Sequence, residues 1–366
     1  MRVVFLTGIW PPDIGGPATH GPDFATFLRD RGHDVRVVTM SDGSLTEQPV
    51  PVEAVLRSRP FPVRYGGVAA KGFRLARSAD VVYATATYAA AAAAAAGRPL
   101  VAKLVSDPAY ERARRYGLYR GDLEGFASVH DPRLTPLRAL RTASLRRARR
   151  IVVPSRYLAE IAGRWGLDRS RVEVLVNPAP EPTTVAPEQL PDGTLVFVGR
   201  LTAQKDLPVA LRAVSKVEGA SFVVVGDGPV RGALEQLSGE LGLNGRVEFR
   251  GARSRAEALR TLAGARAALL SSAWENLPHA AVEALSVGTP VVSTAVGGVP
   301  EVVHDDENGL LVPAGDVAAL ASAISRIVDD DSLRARLAAA AQPSVAAIGR
   351  DDIYGRLEQI LLEVSG

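Results

Sequence analysis

The chain has 366 residues, 47% hydrophobic and 23% charged, as expected of a soluble protein with more than one core. It contains no cysteine, which excludes thiol catalysis, disulfides and cysteine-ligated zinc and fits a cytosolic compartment. The net charge of +3 hides an asymmetry: residues 1–178 carry 27 basic and 16 acidic side chains, the remainder 16 and 24, or +11 against −8. A basic half can face anionic lipid, nucleic acid or a phosphorylated substrate, or complement an acidic neighbouring domain. Aromatic content of 5% and the lack of zinc-finger, RNP or helix-turn-helix patterns argue against nucleic acid.

In chain order, "VVFLT" is a continuous apolar run of the kind that forms a parallel strand buried on both faces. The apolar stretch before Pro11 is too short for a signal-peptide core, so it reads as this first strand. A Gly/Pro loop follows, then a helix that stops near Gly32, then the strand "VRVVT". The rhythm continues through "DVVYATA", "PLVAKLV" and "RIVVPS". The alanine run 89–96 reads as helix and is too short to span a bilayer. Asn177–Gly193 holds five prolines and little apolar periodicity, so it reads as an interdomain linker. Beyond it come the strands "TLVFVGR", "SFVVVGDGP", "VEFRG", "AALLSSA" and "PVVSTAV", with helices at "DLPVALRAVSKV" and "SRAEALRTLAGA". A break at Pro343–Gly349 precedes a separate amphipathic helix, Asp351–Val364.

Strands alternating with helices imply an α/β protein of two doubly wound, Rossmann-like domains facing each other across a cleft. The expected boundaries are 1–178 and 179–350 for the two domains and 351–366 for a separate final helix. Ligands in such sheets sit beyond the carboxyl ends of the strands.

The most informative stretch is "SSAWENLPHAAVEAL". A helix starts near Pro278, which leaves Glu275 in the strand-to-helix loop and puts Glu283 in the second helical turn. Eight residues of helix rise about 12 Å. That exceeds the roughly 5–9.5 Å separating the carboxylates of a glycoside hydrolase. The span suits gripping both ends of an extended ligand, such as the two sugars of a nucleotide-sugar, whose hydroxyls carboxylates accept well. Its diphosphate would meet the positive end of the helix. The plainer reading is a helix-terminal charge and a solvated glutamate, against which stands the apolar company of Glu283.

In "VFVGRLTAQKDLPVAL", Arg200 and Lys205 follow a strand and can neutralise a diphosphate, Arg in bidentate fashion and Lys as a point charge; the plainer reading is surface charge. In "WPPDIGGPATH", Gly15 and Gly16 let backbone approach a phosphate, or simply form a tight turn. "VVVGDGPVRGALE" gives Gly226, Gly228 and Gly232 one residue too far apart for a dinucleotide fingerprint, and no acidic ribose ligand follows at the usual place.

Taken together, "PPDIGGP", "ARRIVVPS", "GRL…KD", "VVGDGP", E-x7-E and "GTPVVST…GGVPEVV…ENGLLVP" resemble the retaining nucleotide-sugar glycosyltransferases of family 4, with the GT-B fold. The resemblance implies that Glu283 holds the donor ribose and Glu275 the transferred sugar. Arg200 and Lys205 would bind the diphosphate and stabilise the leaving nucleotide without a metal or other cofactor. Gly15 and Gly16 would approach the donor phosphates, and Asn276 and Leu277 would present backbone amides. The donor would be a UDP or GDP sugar and the partner a hydroxyl acceptor, with domain closure over the donor excluding water.

Many members carry histidines where this chain has Tyr83 and Thr85, and some carry one where it has Asp107. Asp107, with Glu111 behind it, is therefore a candidate for the acceptor side and for catalysis, or else a helix N-cap before Pro108. His20 can touch the acceptor or be structural. The competing functions are a nucleotide-sugar epimerase and a catalytically silent nucleotide binder. The basic stretch Leu137–Arg150 can skirt an anionic membrane face as a peripheral protein, or be a solvated helix face. Alanine- and arginine-rich usage looks like that of a high-GC bacterium, where natural products and envelope lipids are both plausible acceptors. A monomer and a homodimer are equally compatible with the sequence.

Overall fold

The computed structural model describes the chain except positions 12, 14, 15, 44, 46, 47, 87, 88 and 181–184, and the side chains at 16, 17 and 19. The described residues form two compact units, one of residues 1–177 and 351–366 and one of residues 178–350.

The first unit contains β1 (Arg2–Leu6), α1 (Gly16–Asp30), β2 (Asp34–Met40), β3 (Val52–Val55), α2 (Phe61–Ala76), β4 (Val81–Ala84) and α3 (Ala89–Ala95). It continues with β5 (Leu100–Lys103), α4 (Pro108–Arg115), α5 (Leu123–Phe126), α6 (Thr135–Arg146), β6 (Arg150–Val153), α7 (Arg156–Gly163) and β7 (Val172–Val174). All seven strands are parallel, in the order β3-β2-β1-β4-β5-β6-β7. The central strands are buried along almost their whole length, as their unbroken apolar runs require. Chain direction through the sheet reverses between β1 and β4, the place where open α/β sheets bind ligands.

Helix α1 ends where the sequence indicates. His33 N–H donates to Leu28 O at 3.0 Å and Gly32 N–H to Arg29 O at 2.9 Å, with Gly32 at φ +83°. That hydrogen-bond pair is a Schellman closure, and it needs a left-handed residue at this position. On the α1 side of the sheet Phe5 and Tyr83 pack with Phe24, their ring centroids 4.8–5.6 Å apart.

The second unit contains β8 (Thr194–Val198), α8 (Leu207–Val214), β9 (Ser221–Val225), α9 (Arg231–Glu240), β10 (Val247–Gly251), α10 (Arg255–Ala263) and β11 (Ala267–Leu270). Then follow α11 (His279–Ser286), β12 (Val291–Thr294), β13 (Gly309–Val312), α12 (Val317–Asp329) and α13 (Asp331–Ser344). Its six strands are parallel, in the order β10-β9-β8-β11-β12-β13, with the reversal between β8 and β11. Pro343 does not break the chain where the sequence suggests. It lies within the last turn of α13, and the irregular stretch starts after Ser344.

The last helix, α14 (Arg350–Ser365), packs on the first unit. Tyr354 packs tilted against Phe24 and edge-on to Phe27, Glu358 Oε1 lies 2.6 Å from His33 Nε2, and Arg356 Nε lies 2.6 Å from Glu173 on β7. No helix among the described residues is long and apolar enough to cross a membrane.

Candidate active site

In the second unit, the loops after β8 and β11 lie on either side of the strand reversal and carry Arg200, Lys205 and Glu275, while Glu283 follows in α11. The first loop leaves β8 through Gly199 and runs beside the loop after β9. A Cβ at Gly226 would lie 1.8 Å from Gly199 O, and one at Gly228 would lie 2.2 Å from Leu201 O. The glycines of "VVGDGP" therefore serve backbone-to-backbone packing under the Arg200 loop, and not a dinucleotide turn. Leu201 N–H donates to Asp227 O at 2.9 Å and locks that contact.

Arg200 is exposed and makes no hydrogen bond or ion pair among the described residues. Asp206, at φ +42°, turns the chain into α8, a conformation that Asp tolerates better than most residues. Burial raises the pKa of its carboxyl, with Arg212 opposing.

The β11 loop is pinned to the first. Ser271 Oγ donates to the carbonyls of Lys205 (2.9 Å) and Asp206 (3.0 Å), and Ala273 N–H donates to Gln204 O at 2.9 Å. Gln204 Nε2 in turn donates to Trp274 O at 3.0 Å. This scaffold brings Lys205 Nζ to 2.5 Å from Glu275 Oε1, which also accepts from Ser272 Oγ at 2.7 Å. Glu275 is 5% exposed, so its carboxylate is both desolvated and fixed. Thr294 Oγ1 holds the loop from β12 through Ser272 O at 2.7 Å.

Leu277 N–H makes no hydrogen bond among the described residues, and Asn276 and Leu277 are both buried at the entry to α11. Pro278 supplies no side-chain cap to α11, and Ala281 N–H donates to Pro278 O at 3.1 Å, which leaves the Ala280 amide without a hydrogen bond among the described residues and open to an anion. Glu283 lies in the second turn, as expected. The 12 Å helical rise does not apply to the pair, because helix starts only at His279 and the preceding residues are loop. Glu283 Oε1 accepts from Arg255 Nε of α10 at 3.1 Å. Burial raises its pKa, and Arg255 offsets part of that rise.

The first unit arranges its candidates differently. Gly15 lies outside the described residues, and Gly16 is the first residue of α1. His20 is half-buried in α1, and its carbonyl accepts from Tyr354 Oη at 3.4 Å. Glu111 is exposed in the first turn of α4. Tyr83 is a core aromatic whose pKa burial raises.

Asp107 is 1% exposed. Its Oδ1 caps α4 through Ala109 N (2.8 Å) and Tyr110 N (3.3 Å), while Oδ2 accepts from Arg141 Nη1 at 2.6 Å. The structure thus gives Asp107 the capping role that the sequence weighed against an acceptor role. Burial raises its pKa against the pull of Arg141.

The basic stretch 137–150 is partly spent inward. Arg141 is 5% exposed and stacks 4.0 Å over Trp165, Arg138 stacks 4.7 Å over Phe126, and Arg149 donates to Val364 O at 3.2 Å. Among the described residues, no group of three His, Asp or Glu side chains is spaced to hold a metal. Arg255 and Arg141 are not among the sequence candidates and are partners that only the fold brings together, whereas Ser272, also missed, lies three residues before Glu275.

Residues 14–180 match the family model Glycosyltransferase Family 4, and residues 185–343 match Glycosyl transferases group 1. The chain is 37% identical over 175 residues to the lipopolysaccharide core biosynthesis glycosyltransferase LpsD of Rhizobium meliloti (46% of this chain, 50% of that one). It is 35% identical over 240 residues to the 2-deoxystreptamine N-acetyl-D-glucosaminyltransferase of Streptomyces fradiae (60% and 57%). The chain spans about half the length of the curated relatives it matches. Among solved structures, Anabaena HepE in complex with UDP-glucose superposes with a TM-score of 0.83 at 22% identity, over 99% of this chain and 100% of that one. Two family models that meet in the proline-rich linker account for most of the sequence, and the chain belongs to glycosyltransferase family 4, with two Rossmann-like units of the GT-B fold.

Proposed function

We propose that the protein transfers a hexose or related sugar from a nucleoside-diphosphate sugar to an acceptor hydroxyl, with retention of configuration and without a metal. The observation that carries this reading is the fixed array at the strand reversal of the second unit. There Glu275 Oε1 lies 2.5 Å from Lys205 Nζ and 2.7 Å from Ser272 Oγ, close in sequence to the uncapped start of α11.

In this reading the diphosphate is held by Arg200, Lys205 and the amides of Leu277 and Ala280 at the entry to α11. Glu275 takes hydroxyls of the transferred sugar and Glu283 those of the ribose. The sugar C1–O bond breaks and its electron pair stays on the departing phosphate oxygen, whose charge the two cations stabilise. The acceptor oxygen bonds to C1 on the same face, and its proton passes to that phosphate oxygen. A good leaving group leaves positioning and electrostatics as the main task. The complex of HepE with UDP-glucose supports UDP-glucose as the first donor to test.

The test is thermal unfolding with a series of nucleotide-sugars. One donor at about 100 times its dissociation constant should stabilise the wild type by about 2.7 kcal/mol. Glu283→Gln should lose most of that gain. An equal gain in the variant would refute the ribose assignment. No gain from any nucleotide-sugar would refute the transferase reading.

A further inference from the structure

The parallel register of the first unit sets four polar side chains side by side. Leu6 pairs with Val38 and Ala84, and Ala84 pairs with Ala102, so the next step along places Thr39, Thr7, Thr85 and Lys103 in one row. Thr7 N–H donates to Val38 O and Thr85 N–H to Leu6 O, each at 3.1 Å, which continues the ladder through that row. The row lies on the face of Phe5, Tyr83 and Val101, which is the α1 side, one pleat beyond the aromatic cluster. It crosses the carboxyl end of the sheet at the reversal between β1 and β4.

Within the row Thr85 Oγ1 donates to Thr7 Oγ1 at 2.8 Å, and Thr7 Oγ1 donates to Ile9 O at 2.9 Å. Thr39 Oγ1 is buried without a partner among the described residues. Lys103 is 8% exposed and makes no hydrogen bond or ion pair among them. A buried lysine is ordinarily paired, because an unpaired ammonium loses its hydration without return. Among the described residues the fold here supplies hydroxyls but no carboxylate. Asp107, four residues on, is already committed to Arg141 and the α4 cap. Burial lowers the pKa of Lys103 to about 8, and a bound anion would reverse that shift.

We propose that Lys103, at the end of the row formed with Thr39, Thr7 and Thr85, binds through its ammonium an anionic group on the acceptor, a phosphate or a carboxylate. This rests on the transferase reading and adds the acceptor's charge class. It makes Lys103 a specificity residue, with the reacting hydroxyl carried elsewhere on the same acceptor.

The chain has only four lysines, at 71, 103, 205 and 216, so 13Cε-lysine NMR of the whole protein gives four resolvable signals, and Lys103→Met assigns one of them. Inorganic phosphate and acetate are added separately, then glucose 6-phosphate, glucuronate and glucose. The expected result is a saturable shift of the Lys103 signal with phosphate or with acetate, which tells the two anions apart. The matching sugar should bind about tenfold tighter than glucose in the wild type but no tighter in Lys103→Met. UDP should leave the Lys103 signal unmoved.

A Lys103 signal inert to both anions at tens of millimolar would overturn the proposal, and so would one moved by UDP. A methionine variant that melts well below the wild type would also overturn it, because it would reveal a partner that Lys103 holds in the fold. Stabilisation by UDP-glucose should be the same in both proteins. Its absence from both indicts the donor reading, whereas an inert Lys103 with donor binding intact indicts this one.

Discussion

Replacing Asp107 by Asn separates a structural carboxylate from a catalytic one. Asn caps helices about as well as Asp, so the bonds from Ala109 and Tyr110 should persist. What is lost is the negative charge facing Arg141, whose side chain is only 6% exposed. Burial already lowers the Arg141 pKa, and a guanidinium left unpaired there should cost about 3–5 kcal/mol. For a unit of this size that is roughly 6–20 °C in melting temperature.

Removing the arginine as well, as Arg141→Met in the Asp107→Asn background, takes away the stranded charge. It should restore stability to within about 2 kcal/mol of the wild type, the remainder reflecting the lost stacking on Trp165. The assay is calorimetry on the wild type, both single variants and the double. It is paired with donor turnover per folded molecule, measured well below every melting transition. Turnover should stay within about threefold for Asp107→Asn, since the carboxylate touches no reacting atom in this account. The reasoning fails if the single variant costs less than about 1 kcal/mol while turnover falls by orders of magnitude, because the carboxylate would then act on substrate.

Two further outcomes follow from the second unit. Gly226→Ala places a Cβ against Gly199 O at a backbone of φ +143°, and should destabilise by about 2–5 kcal/mol in urea titrations while weakening donor binding through the displaced Arg200 loop. Glu283 has a folded-state pKa above its ordinary value of 4.5, so the native state holds this proton more tightly than the unfolded chain. Stability from this group therefore falls as pH rises through the raised pKa and recovers on acidification towards 4.5. Glu283→Gln should flatten that part of the profile. Donor affinity should weaken on acidification across the same window in the wild type alone, read by titration calorimetry.

The sequence exposes most of the architecture because parallel strands buried on both faces leave unbroken apolar runs, as in "VVFLT" and "TLVFV". It misses β3 and β7 for the opposite reason. Both lie at sheet edges, are half-buried, and read as "VEAV" and "VEV", with glutamate interrupting the run. β13 escapes notice because its four residues sit inside a longer loop-like motif.

At the site, Arg200, Lys205, Glu275 and Glu283 are legible because each pair lies in one short stretch. Their partners are not: Arg255 lies 28 positions from Glu283, and Arg141 lies 34 from Asp107. Only the sheet brings them together. Lys103 did leave a trace, as the lone charge inside "PLVAKLV", and its meaning depends on a register that local spacing does not encode.

Helix α14 belongs to the unit that also holds the amino terminus, where Glu358 meets His33 and Tyr354 meets Phe24. Topologically, the second unit, residues 178–350, is thus a guest inserted into its host. Its residues are contiguous in sequence, whereas loss of α14 would strip the packing from Phe24, Phe27 and His33, more than 300 positions away.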